Sequence, residues 1–174
     1  DLGSEQSYTK AQNMLEKKSG RKRKVNNRSN ISRTVGEIGE GISELKSQTY
    51  KVKIDRPSDA VAVQIDGAHI QTNIKGKRSY EILTAKAYRL DNLQPLNSNR
   101  NEIKSSTCVA SAKSDKQRTI KKHVLYAALT EGMIENTTVY LLADGAKNCW
   151  SSGSLLHDKC KEVISILDWS HVGR

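Results

Sequence analysis

The sequence predicts a mixed α/β fold that follows a small helical region. Two observations favour it: short apolar runs typical of strands occupy 60–90 and 137–168, and an amphipathic segment, 116–133, lies between them. The predicted order is about three antiparallel strands, a helix, a strand, a partly helical segment and a last strand. We therefore divide the chain into a basic helical region (1–48), a linker (49–59) and a core (60–174).

The helical region combines two amphipathic segments with a basic turn. Tyr8, Ala11, Met14 and Leu15 follow a helical period that Ser7 can cap, and a second period runs from Ile31 to Leu45. Seven basic residues and no acid lie between the two segments: Lys17, Lys18, Arg21, Lys22, Arg23, Lys24 and Arg28. This pattern predicts a helix-turn-helix-like DNA-binding unit, with a helical hairpin and a solvated loop as the alternative.

The core elements follow from local periodicity. Residues 60–66 read as one strand, and the next segment predicts two further antiparallel strands around a turn at Lys75-Gly76-Lys77. The segment near Cys108 can continue the sheet, and Ile120, Val124 and Leu125 mark a helix. The apolar runs 137–144 and 164–168 predict two buried strands, the first with both faces covered.

Composition favours an intracellular protein with a polyanionic partner. The 174 residues carry a net charge of +10, the pI is about 9.6, and no apolar run approaches the roughly 20 residues of a membrane span. Three cysteines without a CxxC spacing predict neither a disulfide framework nor a zinc site. We expect Cys108, Cys149 and Cys160 to be buried or half-buried thiols.

Two aspartates end apolar runs and are each followed by glycine. Asp66 closes AVAVQID and Asp144 closes TTVYLLAD. On adjacent strands their carboxylates would lie close together, which is costly unless a cation neutralises them, and oxygen ligands favour Mg²⁺ or Mn²⁺. The pair therefore predicts a metal site for phosphodiester chemistry. The alternative is that Asp-Gly only forms the turn after each strand.

A third acid occurs in ISILDWSHV. Asp168 ends the last apolar run, and His171 follows three residues later, so a helical turn would place both on one side. His171 can orient a phosphate, carry a proton, bind a metal or hydrogen-bond Asp168. Spacing leaves these roles open and slightly favours the structural one.

The stretches VQIDGAHI, LLADGAKNCW and ILDWSHV together resemble insertion-sequence transposases of the acidic-triad kind, closest to the ISKra-type, Mutator-related group. The resemblance implies a ribonuclease H-like core, with Asp66 and Asp144 as catalytic metal ligands and Asp168 and His171 supporting the site. It implies Mg²⁺ or Mn²⁺ as cofactor, DNA element ends and target DNA as partners, homo-oligomers of the full-length protein, and a bacterial cytoplasmic, nucleoid-associated location.

The resemblance also has a gap. The family's third catalytic acid is a Glu on a later helix, and this chain ends six residues after Asp168. We therefore expect a fragment or a truncated product with reduced or no activity and an exposed sheet face. Two other functions stay open: a ribonuclease H-like nuclease or resolvase, and a non-catalytic DNA-binding remnant of a transposase.

Overall fold

A computed structural model describes residues 7–20, 26–72, 75–98 and 100–168. The chain forms two compact units, Asp1–Leu45 and Lys46–Arg174. Within the described ranges, no helix combines the length and the apolar character needed to cross a membrane.

The first unit contains the two predicted helices, α1 (Tyr8–Ser19) and the start of α2 (Arg28–Ser47). The Ser7 hydroxyl accepts the Lys10 N–H at 3.4 Å, which confirms the predicted cap. Gly20 ends α1 with φ +61°, a left-handed conformation that glycine adopts without steric cost.

Hydrogen bonds join the two helices of this unit. The Asn27 side chain caps α2 by accepting the Asn30 N–H at 2.8 Å, and the Arg28 N–H donates to the Gln12 side chain at 3.2 Å. The apolar faces are covered only in part: Ala11 and Ile31 are buried, whereas several residues further along α2 are 46–65% exposed, namely Ile38, Ile42 and Leu45.

The second unit is built on a five-stranded mixed sheet, which confirms the α/β fold. Its strands are β1 (Ala60–Gln71), β2 (Ser79–Arg89), β5 (Thr107–Ser111), β6 (Thr138–Ala143) and β7 (Glu162–Leu167), in the spatial order β5-β2-β1-β6-β7. The β1–β2 and β2–β5 pairs are antiparallel, and the β1–β6 and β6–β7 pairs are parallel. This arrangement is compatible with a ribonuclease H-like fold.

The hydrophobic core lies on one face of this sheet. The helix predicted around Ile120 is α3 (Arg118–Thr130), and its buried side chains pack with alternate residues of the strands, such as Val61, Val63 and Leu141. The short helix α4 (Lys147–Ser152) adds Cys149 to the same core. Alternation sends the intervening residues of each strand to the opposite face.

Hydrogen bonds connect the segment just before β1 to β2 and to the start of β6. The Thr138 N–H donates to the Asp59 carbonyl at 2.9 Å, and the buried Thr137 hydroxyl donates to the Ser58 carbonyl at 2.6 Å. Arg89, at the end of β2, donates to the carbonyls of Arg56 and Pro57 at 2.6 and 3.1 Å. These bonds pair the buried polar side chains of Arg89 and Thr137, which would be costly to bury without partners.

Three sequence predictions are wrong in detail. The strand beginning at Ala60 does not end at Asp66 but continues to Gln71, so it is itself the first arm of the hairpin whose turn contains Gly76 (φ +81°). The polar segment after Leu90 contains a small antiparallel ladder, β3 (Leu93–Asn97) with β4 (Arg100–Ile103). Neither apolar run forms a strand buried on both faces.

The exposure of β6 and β7 follows from their places in the sheet. β6 alternates between buried and half-buried residues, because only its core face is fully covered. β7 is an edge strand, and Ile164 and Ile166 remain 39 and 40% exposed. A continuous apolar run signalled burial, but the edge position of β7 leaves its backbone and side chains accessible.

Candidate active site

Three aspartates form a row across adjacent parallel strands. The last residues paired between β1 and β6 are Ile65 and Ala143, and Ala143 is also paired with Leu167 of β7. Asp66, Asp144 and Asp168 each follow one of these aligned residues. We call these three residues the acid row. The register thus brings together three carboxylates that are distant in sequence.

Backbone hydrogen bonds hold the acid row in place. The Asp168 N–H donates to the Ala143 carbonyl at 2.8 Å, which extends the β6–β7 ladder to the row. The Thr84 hydroxyl donates to the Asp66 carbonyl at 3.2 Å. The main chain at this edge is therefore rigid, as a site for chemistry requires.

The side chains of Asp66 and Asp144 also bond to local main chain. Asp66 Oδ1 accepts the Gly67 N–H at 2.8 Å, and Asp144 Oδ1 accepts the Ala146 N–H at 2.9 Å. The second bond forms an Asx turn, and Gly145 within that turn has φ +93°. Asp144 therefore fits the turn interpretation and also belongs to the acid row. Asp66 does not fit it, because its strand continues through an extended Gly67.

The acid row opens on one cavity of about 610 Å³. All three carboxylate residues line it, together with Gln64, Thr84 and Lys86. By strand alternation, Gln64 and Asp66 point away from the face that Val63 and Ile65 pack against. The cavity therefore combines acidic and basic side chains on the sheet face opposite α3.

Cys149 is a neighbour of the acid row that sequence reasoning treated only as a buried or half-buried thiol. That expectation is confirmed for Cys149 and for the half-buried Cys160, and it is wrong for Cys108, which is exposed on β5. Cys149 is fully buried on α4, and burial is the main reason that its pKa is raised to about 12. A hydrogen bond with the Asp144 side chain and the negative charges of Asp144, Asp66 and Glu81 raise this pKa further. The thiol therefore stays protonated beside Asp144.

Glu81 is an acid that sequence reasoning missed. It lies on β2 in the same alternation as the core residues Leu83 and Ala85, and its side chain accepts a hydrogen bond from the Asn148 amide of α4. The sequence does carry a signal for this residue: an acid that alternates with core residues of a strand is unusual and needs a partner. Glu81 lines a different cavity from the acid row, so we assign it to fixing α4 on the sheet.

The carboxylates of the acid row suit a hard divalent cation that takes some of its other ligands from the substrate. Among the residues that the structure describes, no group of three or more His, Cys, Asp and Glu side chains is arranged to hold a metal ion. Mg²⁺ is commonly bound by one or two carboxylates, with water and substrate phosphates as its other ligands. Asp66 and Asp144, on adjacent strands and facing one cavity, fit that requirement.

The other predicted site residues lie elsewhere or outside the described ranges. Lys17 and Lys18 occupy the exposed last turn of α1, and Arg28 is exposed at the start of α2. Arg21, Lys22, Arg23, Lys24 and His171 lie outside the described residues. DNA contact by the basic turn and a role for His171 stay predictions.

Comparisons with known proteins add no family assignment: no protein-family model matches the chain, and no curated protein matches it.

Proposed function

We propose that the chain is a DNA transposase of the acidic-triad, insertion-sequence kind, which cuts DNA with a divalent metal ion and joins the freed ends to target DNA. The acid row is the observation that carries this proposal. Three aspartates lie at the same level along three adjacent strands and line one cavity. This arrangement is suited to phosphodiester chemistry.

The residues of the cavity have distinct roles in this proposal. Asp66 and Asp144 hold Mg²⁺ or Mn²⁺, which when bound would stabilise negative charge on the phosphate and activate the attacking hydroxyl. Asp168 supplies further negative charge beside Asp144, and Lys86 can attract a substrate phosphate into the cavity. In hydrolysis, water adds to phosphorus as the P–O bond to the leaving oxygen breaks. In joining, the freed 3′ hydroxyl adds to a phosphorus of the target strand as the P–O bond to that strand's 3′ oxygen breaks. The hydroxyl loses its proton and the leaving 3′ oxygen gains one.

DNA binding relies on the basic helical region. Lys17, Lys18 and Arg28 present positive charge at facing ends of two helices, and Arg21, Lys22, Arg23 and Lys24 belong to the same basic run. Such a cluster releases counterions when it contacts phosphates. A mobile-element protein of this kind would act in the bacterial cytoplasm on nucleoid DNA, as a homo-oligomer that holds element ends and target DNA.

The test is metal binding by titration calorimetry, with cleavage of labelled plasmid DNA measured alongside. We expect Mg²⁺ or Mn²⁺ to bind the wild type and to be lost in Asp66→Asn and in Asp144→Asn. Asp158→Asn is the matched control, because this exposed acid lies before β7, away from the acid row. Unchanged metal binding in both variants would overturn the proposed site.

The second candidate is DNA binding without cleavage. The absence, among the described residues, of three side chains arranged as metal ligands favours it. Metal-independent DNA binding with no cut product would support this candidate. Cleavage without joining would instead identify a nuclease or resolvase that uses the same acid row.

A further inference from the structure

The β1–β2 pair continues well beyond the acid row. β6 is paired with β1 only as far as Ile65, and β5 is paired with β2 only as far as Leu83. Beyond these points β1 and β2 remain paired with each other, from Gly67–Leu83 to Gln71–Ser79. We call residues 67–72 and 75–83 the ribbon; it is two-stranded and adjoins the acid row.

The end of the ribbon is strongly basic. Lys75, Lys77 and Arg78 are all exposed at the turn, and no Asp or Glu occurs from Gly67 to Tyr80. The Lys77 ammonium lies 5.7 Å from the centre of the Tyr80 ring, a cation–π distance that holds this side chain against the ribbon. Three positive charges are thus concentrated at one end.

Apart from Leu83 at its base, which is buried in the core, the ribbon contributes little to the core. Residues 68–71 are all exposed, and Ile70 is 42% exposed. A two-stranded hairpin is marginal in water by itself, so a long extension needs another reason to be present. Lysines can also protect strand edges against aggregation, but such residues are distributed along the edge. Here the positive charges are confined to the turn.

The ribbon spans about half of one helical turn of duplex DNA, a turn being roughly 34 Å. From Asp66 to Gln71 an extended chain covers roughly 16 Å, at about 3.3 Å per residue. B-DNA rises about 3.4 Å per base pair, so this reach corresponds to roughly five base pairs. Hence the basic turn can contact phosphates on one side of a duplex whose scissile phosphate lies at the acid row.

We propose that the ribbon is a DNA-binding arm whose Lys75, Lys77 and Arg78 hold the phosphate backbone roughly five base pairs from the acid row. The choice of duplex DNA rests on the proposed function. The three exposed positive charges of the arm fit a polyanionic partner. The arm belongs to the second unit, whereas Lys17, Lys18 and Arg28 belong to the first.

The test measures binding of a labelled duplex oligonucleotide in EDTA, over a range of salt concentrations. The arm variant is Lys75→Ala/Arg78→Ala, which keeps Lys77 against Tyr80. The control, Lys159→Ala/Lys161→Ala, removes the same charge from exposed positions just before β7, at the end of the parallel strands that is away from the acid row. Thermal unfolding of both variants checks that they fold.

We expect the arm variant to lower the slope of log K against log salt by about 1.8, or 0.9 for each phosphate contact, and to weaken binding more than roughly tenfold at 0.1 M salt. The control should leave the slope unchanged. Three results would contradict the proposed DNA-binding arm: an equal change of salt slope in both variants, no change in either, or no DNA binding by the wild type. Because no metal is present, none of these results depends on whether the acid row cleaves DNA.

Discussion

Asp168 donates its backbone N–H to the carbonyl oxygen of Ala143 at 2.8 Å, and Ala143 is the residue that precedes Asp144. This bond places Asp168 next to Asp144 at the ends of β7 and β6. Ala143 is also aligned with Ile65, the residue that precedes Asp66. All three aspartates therefore lie at the same level of the sheet. The mechanism and the predictions for the acid row depend on this alignment.

Asp168→Asn should weaken Mg²⁺ binding by about 10- to 100-fold, as loss of a supporting group beside a metal typically does. Asp66→Asn and Asp144→Asn should have the larger effect, because those residues are the proposed ligands. Titration calorimetry with Mg²⁺ on these three variants and on the control Asp158→Asn ranks their affinities for the ion. If Asp168→Asn binds the ion like wild type, Asp168 has no part in the site.

The basic helical region should contribute to DNA affinity independently of the arm. Lys17→Ala/Lys18→Ala should reduce the salt slope by about 1.8, because two phosphate contacts are lost. Lys10→Ala/Arg33→Ala is the control in the same unit; it removes equal charge, and the Arg33 guanidinium already pairs with Glu37 at 2.9 Å. Matching slopes for the two variants in fluorescence anisotropy would exclude a specific role for Lys17 and Lys18.

Cys149 should resist alkylation in the folded protein. Its thiolate is the reactive form, and burial together with the Asp144 hydrogen bond raises the pKa to about 12 from the ordinary value of 9.0. Iodoacetamide at pH 8, followed by mass spectrometry, should label the exposed Cys108 first and Cys149 only in urea. Equal native labelling of both residues would contradict this environment.

The same pKa gives a stability prediction with a defined sign. The folded state holds the Cys149 proton more tightly than the unfolded state, so the stabilisation is fully present below about pH 9. It should be lost as the pH rises from about 9 to about 12. Cys149→Ala should remove this part of the pH dependence in urea unfolding curves, and an unchanged alkaline profile would argue against it.

Gly132→Ala should destabilise the second unit by about 2–4 kcal/mol. Gly132 has φ +89°, and a Cβ there would overlap the Arg56 carbonyl oxygen and lie 2.8 Å from Arg89 Nη1. Gly67→Ala is the control, since its Cβ would meet only ordinary contacts, the nearest at 3.4 Å. Thermal unfolding of both variants checks the difference; equal melting temperatures would show that the turn adapts.

Local pattern alone identified much of the fold. The helical periods, the cap at Ser7, the turn at Gly76 and the amphipathic segment around Ile120 were predicted because each depends on residues close in the chain. The strands near Cys108 and before Asp144 and Asp168 were predicted for the same reason. Composition also indicated a polyanionic partner, which stays a prediction.

The tertiary structure decided what those elements do together. Sequence periodicity could not show that β1 passes Asp66 without ending, since an Asp-Gly pair within a strand resembles one in a turn. It could not show that β7 is an edge strand, that Cys149 comes close to the acid row or that Glu81 comes close to Cys149. These facts depend on strand order and helix packing. The sequence by itself determined that an aspartate follows each of three apolar runs. Only the sheet register decided that these three aspartates stand in one row, because hydrogen bonding between distant segments sets that register.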